Sequence, residues 1–244
     1  MDKRIAIVTG ASKGIGKAIA ERMVNENYNT ILVDLDTENG NILANKLGDS
    51  AKFISCDISD DKEVTSLFDS ITEEFGGVDV IVNNAGIIRD NVIWKMPVED
   101  FDKVVDINLK GTWLMCKIAG TLMRKQQRGR IINIASRAWL GNRGQSNYSA
   151  SKAGVVGLTR VLALELGKYG VYVNAIAPGL INTPLTQKLP EDVQEKLIQA
   201  QPTKSMGQPE DIANAVAFLS DEKTQFITGQ TIYVDGGKSI GAGL

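Results

Sequence analysis

The sequence predicts an α/β fold: one domain spanning residues 1–244, built on a doubly wound, seven-stranded parallel sheet with helices on both faces. Three observations carry this reading. Seven short β-branched runs recur along the chain, and longer helical patterns separate them. The runs are almost continuously apolar, as strands are when helices cover both faces of a sheet. Strict alternation of strand and helix implies right-handed crossovers and parallel pairing. Ligands of such sheets bind beyond the carboxyl ends of the strands, so the residues just after each strand are the informative ones.

The first run, Ile5–Val8, leads into Thr9-Gly10-Ala11-Ser12-Lys13-Gly14-Ile15-Gly16 and a helical pattern to about Asn27. Glycines let the backbone turn tightly and approach a pyrophosphate, whose charge the helix N-terminus meets. The Gly-x-x-x-Gly-x-Gly spacing therefore reads as the dinucleotide turn of a Rossmann fold, with Gly10, Ser12, Lys13, Gly14, Ile15 and Gly16 as its cofactor-binding residues. The second run, Thr30–Val33, ends at Asp34, 18 residues past Gly16. A carboxylate there is placed to bond the adenosine ribose 2′-OH and to repel a 2′-phosphate. Lys13 pulls the other way, because a cation in the glycine loop could meet that phosphate. Asp34 is expected to prevail while Lys13 swings into solvent, so NAD is the expected cofactor and NADP the alternative.

The third run, Ala51–Ile54, is followed by Cys56-Asp57-Ile58. The fourth, Val78–Val82, is followed by Asn83-Asn84-Ala85-Gly86, small polar groups where a buried strand stops. Local chemistry alone leaves a plain turn equally open. A helix is expected from about Asn108 to Gln127, and the fifth run, Arg130–Ile134, then reaches Ser136.

Ser146–Lys168 reads as one long helix carrying Tyr148 and Lys152. Residues at i and i+4 share a helix face. A free tyrosine has a pKa of about 10, and a nearby ammonium favours the phenolate, which suits it to moving a proton. Taken alone the pair reads first as a surface i,i+4 contact, and the rest of the chain reverses that reading. The sixth run, Val171–Ala175, precedes Pro178-Gly179, and the seventh is Thr231–Val234. Between them Pro184, Pro190 and Pro202 break residues 180–206 into short pieces, read as a substrate lid. Trp94, Trp139 and Leu140 fit either a substrate pocket or core packing.

Composition excludes other chemistries. With 27 Lys and Arg against 29 Asp and Glu, the net charge of -2 gives no electrostatic case for nucleic acid or an anionic membrane. No apolar run approaches the roughly 18 residues that span a bilayer. The N-terminus leaves no room for a signal peptide, and Cys56 and Cys116 form no CxxC motif, so a cytoplasmic protein with buried thiols is expected. Histidine is absent, which removes Ser-His-Asp hydrolysis and the nitrogen ligands of the usual zinc sites, and no metal is expected. A proton donor must be Tyr, Lys, Cys or a carboxylate.

Taken in order, these motifs resemble the classical short-chain dehydrogenase/reductase superfamily across essentially the whole chain, ending at Val234-Asp235-Gly236-Gly237. Arg130-Ile-Ile, Gly144-Gln145-Ser-Asn-Tyr148 and Ile227-Thr-Gly229-Gln are similar to the branch of 3-oxoacyl-carrier-protein reductases, acetoacetyl-CoA reductases and secondary-alcohol dehydrogenases. The resemblance implies a catalytic tetrad. Tyr148 would exchange the proton, and Lys152 would lower its pKa and hold the nicotinamide ribose. Ser136 would orient the substrate oxygen, and Asn108 would kink its helix and hold a proton-passing water. Asp57 and Ile58 would cradle adenine, with Asn84, Ala85 and Gly86 lining the cleft. Pro178, Gly179, Ile181 and Thr183 would hold the carboxamide. The family usually has one residue more between serine and tyrosine than the eleven here, so counting back from Tyr148 lands on Ala135. Strand register from Arg130 selects Ser136, because a loop loses a residue more cheaply than a strand shifts.

The expected activity is hydride transfer between NAD(H) and a secondary alcohol/ketone or a 3-oxoacyl thioester. The alternatives are an NADPH-dependent 3-oxoacyl-carrier-protein reductase and, from another class, a catalytically silent dinucleotide sensor. Relatives that dock acidic carrier proteins are thought to use two arginines, where this chain aligns Gln127 and Tyr169. The resemblance further implies a homotetramer pairing through the two long helices and the last strand.

Overall fold

The computed structural model describes residues 3–240. Seven strands form one parallel sheet in the order β3-β2-β1-β4-β5-β6-β7. They are β1 (Arg4–Thr9), β2 (Tyr28–Asp34), β3 (Ala51–Ser55), β4 (Val80–Asn83), β5 (Gly129–Ile134), β6 (Val171–Pro178) and β7 (Thr231–Val234). The strand order reverses between β1 and β4, which opens a crevice at their carboxyl ends.

Alternation along each strand builds the two halves of the core. Ile5 and Ile7 of β1 point to the face covered by Val64, Leu67, Phe68 and Ile71 of α3 (Asp61–Phe75) and by Leu114 and Met115 of α5 (Thr112–Gln126). Ala6 and Val8 point to the opposite face, against Ile19 and Met23 of α1 (Gly14–Asn25) and Ile212 and Val216 of α8 (Pro209–Ser220). Both faces are covered, so the near-continuous apolar runs have their physical reason.

The remaining helices are α2 (Thr37–Leu47), α4 (Val98–Val105), α6 (Ser146–Leu166) and α7 (Glu191–Gln199). Their ends follow local chemistry. The Asp60 side chain accepts from the Lys62 and Glu63 amides to start α3, and Gly76 ends it in the left-handed region at φ 79°. At the start of α8 the Asp211 carboxylate accepts from Gln208 N at 2.7 Å, with Pro209 in its first turn.

Of the boundaries that differ from the sequence reading, three have a local reason. β4 starts at Val80 because the Val78 backbone is taken by the Gln126 side chain, whose amide donates to the Val78 carbonyl at 2.8 Å and accepts its N–H at 3.1 Å. α6 stops at Leu166, and Gly167–Tyr169 forms a 3₁₀ turn. The helix expected from Asn108 begins as a π-helical turn, Asp106–Gly111, before α5.

Candidate active site and cofactor cleft

The glycine loop sits at the carboxyl end of β1. Gly10 and Gly14 hold φ of 64° and 56°, conformations that a side chain disfavours. A Cβ on Gly16 would overlap the Gly10 carbonyl and the Asn84 amide. The loop is braced from β4: Asn84 Nδ2 donates to the Thr9 and Gly10 carbonyls at 3.0 and 3.1 Å. Thr9 Oγ1 accepts from the Asn84 and Ala85 amides, both at 3.0 Å. No side chain caps α1, and its first turn holds no acid. The first amides of a helix lack intrahelical partners, so this bare, braced terminus fits the pyrophosphate of a dinucleotide.

At the end of β2, Asp34 is partly buried and spends both oxygens on backbone. Oδ2 accepts from Ser12 N at 3.0 Å and Oδ1 from Asp36 N at 3.1 Å. Most of the Lys13 side chain is exposed, as expected, and its ammonium lies 3.7 Å from Asp36 Oδ2. Beyond β3, Asp57 Oδ1 accepts from the Ser59 amide at 2.9 Å and hydroxyl at 2.7 Å, which fixes the turn. Ile58 is buried and touches the position a Cβ on Gly111 would occupy.

The catalytic candidates converge at the ends of β4 and β5. Lys152 is buried, and its Nζ donates to the Ile134 carbonyl at 2.7 Å. Burial lowers its pKa to about 8. Its ammonium sits 5.8 Å from the Tyr148 ring centroid. A Cβ on Gly86 would lie 3.6 Å from Lys152 Nζ and 3.1 Å from Asn108 Oδ1, so these three residues share one site. Ser136 follows β5 and caps a 3₁₀ turn through its hydroxyl, which accepts from Ala138 N at 3.1 Å. That hydroxyl also acts on Tyr148. Burial raises the phenol pKa, the hydrogen bond with Ser136 lowers it, and the Asp90 carboxylate raises it again. Ala135 instead points into the core with Val155 and Val156.

Asn108 lies in the π-helical turn, fully buried. Its carboxamide is committed to the loop after β4, accepting from Ile87 N at 2.8 Å and donating to Ile87 O at 3.0 Å. Its backbone carbonyl accepts from the Thr112 hydroxyl at 2.8 Å. Ser151, which sequence reasoning missed, links the two helices: its hydroxyl donates to Tyr148 O at 2.8 Å and accepts from Asn108 Nδ2 at 3.3 Å. Its signal was available, since it lies three residues after Tyr148 on the same helix.

The segment after β6 closes the far side. Gly179 N donates to Val234 O at 3.0 Å, and a Cβ there would collide with Asp235. Ile181 is buried and bridges to Gly207. Thr183 lies 3.7 Å from where a Cβ on Gly14 would stand, so the segment touches the glycine loop.

A family model described as enoyl-(acyl carrier protein) reductase matches residues 10–239. The chain is 42% identical to the (2S)-[(R)-hydroxy(phenyl)methyl]succinyl-CoA dehydrogenase subunit BbsD of Thauera aromatica, covering 100% of this chain and 99% of that protein. This chain belongs to the short-chain dehydrogenase/reductase superfamily. It is 39% identical to the 3-oxoacyl-[acyl-carrier-protein] reductase FabG of Vibrio cholerae, over 97% of this chain and 98% of that one. A crystal structure of levodione reductase superposes with a TM-score of 0.93 at 36% identity, covering 99% and 98% of the two chains.

As a member of this superfamily, the protein is a nicotinamide-dependent oxidoreductase of alcohol and carbonyl groups. The fold separates the aromatic candidates. Trp94 is exposed and lines a surface cavity of about 330 Å³ with Arg143 and Ser149. Trp139 lines a different cavity of about 560 Å³, with Arg160 and Tyr233 of β7. They do not share a pocket, because Ser136 starts a turn that carries Trp139 toward β7. Among the described residues no helix is long and apolar enough to cross a membrane.

Proposed function

We propose that the protein interconverts a secondary alcohol and a ketone using NAD(H), with Tyr148 moving the proton. The observation that carries this reading is the meeting of Ser136, Tyr148 and Lys152 at the end of β5 beside a glycine-lined cleft. The nicotinamide supplies or accepts the hydride when bound, so the protein must orient the substrate and handle one proton. In reduction Tyr148 donates its phenol proton to the carbonyl oxygen as hydride reaches the carbon. In oxidation the phenolate takes the hydroxyl proton as hydride leaves. Ser136 orients the substrate oxygen and favours the phenolate. Lys152 holds the nicotinamide ribose, and Asn108, in its π-turn, positions a water that passes protons toward Lys152.

Gly10, Ser12, Gly14, Ile15 and Gly16 hold the pyrophosphate, Asp57 and Ile58 the adenine, and Asn84, Ala85 and Gly86 the wall of the cleft. Pro178, Gly179, Ile181 and Thr183 hold the carboxamide. Residues 180–206 act as the lid, and α7, none of whose residues is fully buried, supports this reading. Asp34 favours NAD by clashing with a 2′-phosphate. The likeness to FabG and the presence of Lys13 favour the second reading, an NADPH-dependent 3-oxoacyl reductase.

For substrate class, a CoA thioester or small free ketone fits better than a carrier-protein thioester. Tyr169 stands where a docking arginine is expected, and its ring takes Arg124 and Lys168 at 5.8 and 5.1 Å. Gln127 caps α5 instead of offering a charge, its amide donating to Arg124 O at 2.7 Å. Apolar side chains left in solvent, Val161 and Leu164 on α6 and Phe226 before β7, support the homotetramer. Two free, buried cysteines suit a cytoplasmic setting.

The test is kcat/KM for secondary alcohols and for matched 3-oxoacyl groups on CoA and on carrier protein, each with NAD(H) and NADP(H). The expected result is turnover with NAD(H) and no carrier-protein advantage. A large, salt-sensitive carrier-protein preference with NADPH would install the second reading, and NADH binding without turnover would point to a sensor.

A further inference from the structure

We propose that Asp36 is a second determinant of cofactor choice, acting by competing with a 2′-phosphate for the Lys13 ammonium. The proposal rests on the NAD(H) reading above and adds a residue that reading does not use.

The glycine loop carries a cation, Lys13, at the edge of the adenosine side of the cleft, which by itself would favour NADP. The structure places that cation 3.7 Å from Asp36 Oδ2. Asp36 is not a loose surface acid. It is the N-cap of α2, with Oδ1 accepting from Asn39 N at 3.2 Å and Oδ2 from Asn39 Nδ2 at 2.9 Å. Its own amide donates to Asp34 Oδ1 at 3.1 Å, and its carbonyl accepts from the Ser12 hydroxyl at 3.2 Å. Asp34, Asp36 and the glycine loop are thus one rigid unit, with Lys13 reaching across it. The Asn39 hydrogen bonds, and after them Lys13, hold the Asp36 carboxyl below its ordinary range, so the charge persists at neutral pH.

Neutralising Asp36 would remove a negative charge near the 2′ position and would release Lys13. The two effects have the same sign but separate on Lys13. An exposed ion pair is screened and weak, so the shift is modest and salt-dependent.

The test is calorimetric binding of 5′-AMP and of adenosine 2′,5′-bisphosphate to the full chain, at low and physiological salt. The variants are Asp36→Asn, Lys13→Gln and the double variant. Asparagine caps a helix as well as aspartate, so α2 is retained, and Asp36→Ser is a second capping variant. Asp36→Asn should improve binding of the bisphosphate relative to AMP by about two- to fivefold. That gain should shrink with salt and be smaller when Asp36→Asn is made on Lys13→Gln, where only the direct charge effect remains. An unchanged ratio, or a gain of the same size with and without Lys13, would overturn the proposal. A wild-type protein that already prefers the bisphosphate would overturn the NAD(H) reading separately.

Discussion

Lys152 Nζ donates to the Ile134 carbonyl at 2.7 Å, so the buried ammonium of α6 is anchored to the last residue of β5. This bond fixes the lysine against the strand that delivers Ser136. It also leaves the charge deeply buried, with a pKa lowered to about 8 from the ordinary 10.5. Such a group costs stability in exchange for position.

Lys152→Met should therefore stabilise the protein while removing activity. The buried charge costs on the order of 3 kcal/mol by its shift. The expected rise in Tm is several degrees at pH 7, at roughly 2–4 °C per kcal/mol for a chain of this size. The sign of the pH effect follows. The folded lysine loses its proton more readily than the unfolded one, so stability rises with pH between about 8 and 10.5. Differential scanning should show the wild type gaining on Lys152→Met across that window, and a constant gap would contradict the assignment.

Ser136→Ala should shift the pH profile of alcohol oxidation. Its hydroxyl lowers the Tyr148 pKa against burial and Asp90, which raise it. Removing it should move the acid limb of kcat/KM for oxidation, where the phenolate is protonated, to higher pH and impair turnover, with Ser136→Thr restoring part of both. An unmoved limb with intact activity would mean the hydroxyl comes from another residue.

Asn84→Ala should loosen the glycine loop without touching the proton chemistry. It deletes donors to the Thr9 and Gly10 carbonyls. A cost of about 1–3 kcal/mol is expected for stranding these partly buried groups. Denaturant melts measure the loss, and NADH titration should show weaker binding. A variant with wild-type stability and affinity would show that the loop holds its shape unaided.

The fold was legible in the sequence because strands buried on both faces write themselves as continuous apolar runs. All seven runs overlap the strands found, and the parallel doubly wound sheet is the one expected. What stayed illegible depends on side chains reaching across the chain. Nothing near Val78 announces that Gln126, 48 residues later, takes its backbone. Nothing near Lys13 announces that its ammonium lies beside Asp36, although an Asp three residues before Asn39 is a readable cap. The site residues came from their places after strands and from family resemblance. Their couplings, such as Ser151 between Tyr148 and Asn108, emerge only when two helices pack.

The central claim is that Tyr148 supplies the proton. Rapid-mixing measurement of single-turnover hydride transfer in Tyr148→Phe, alongside NADH affinity, tests it most directly. A loss of at least the 10²–10⁴-fold typical of general acid–base catalysis is expected, with NADH binding nearly intact. Retention of more than about a tenth of the wild-type rate, where acid–base catalysis demands a far larger loss, would contradict the account and place the proton chemistry elsewhere.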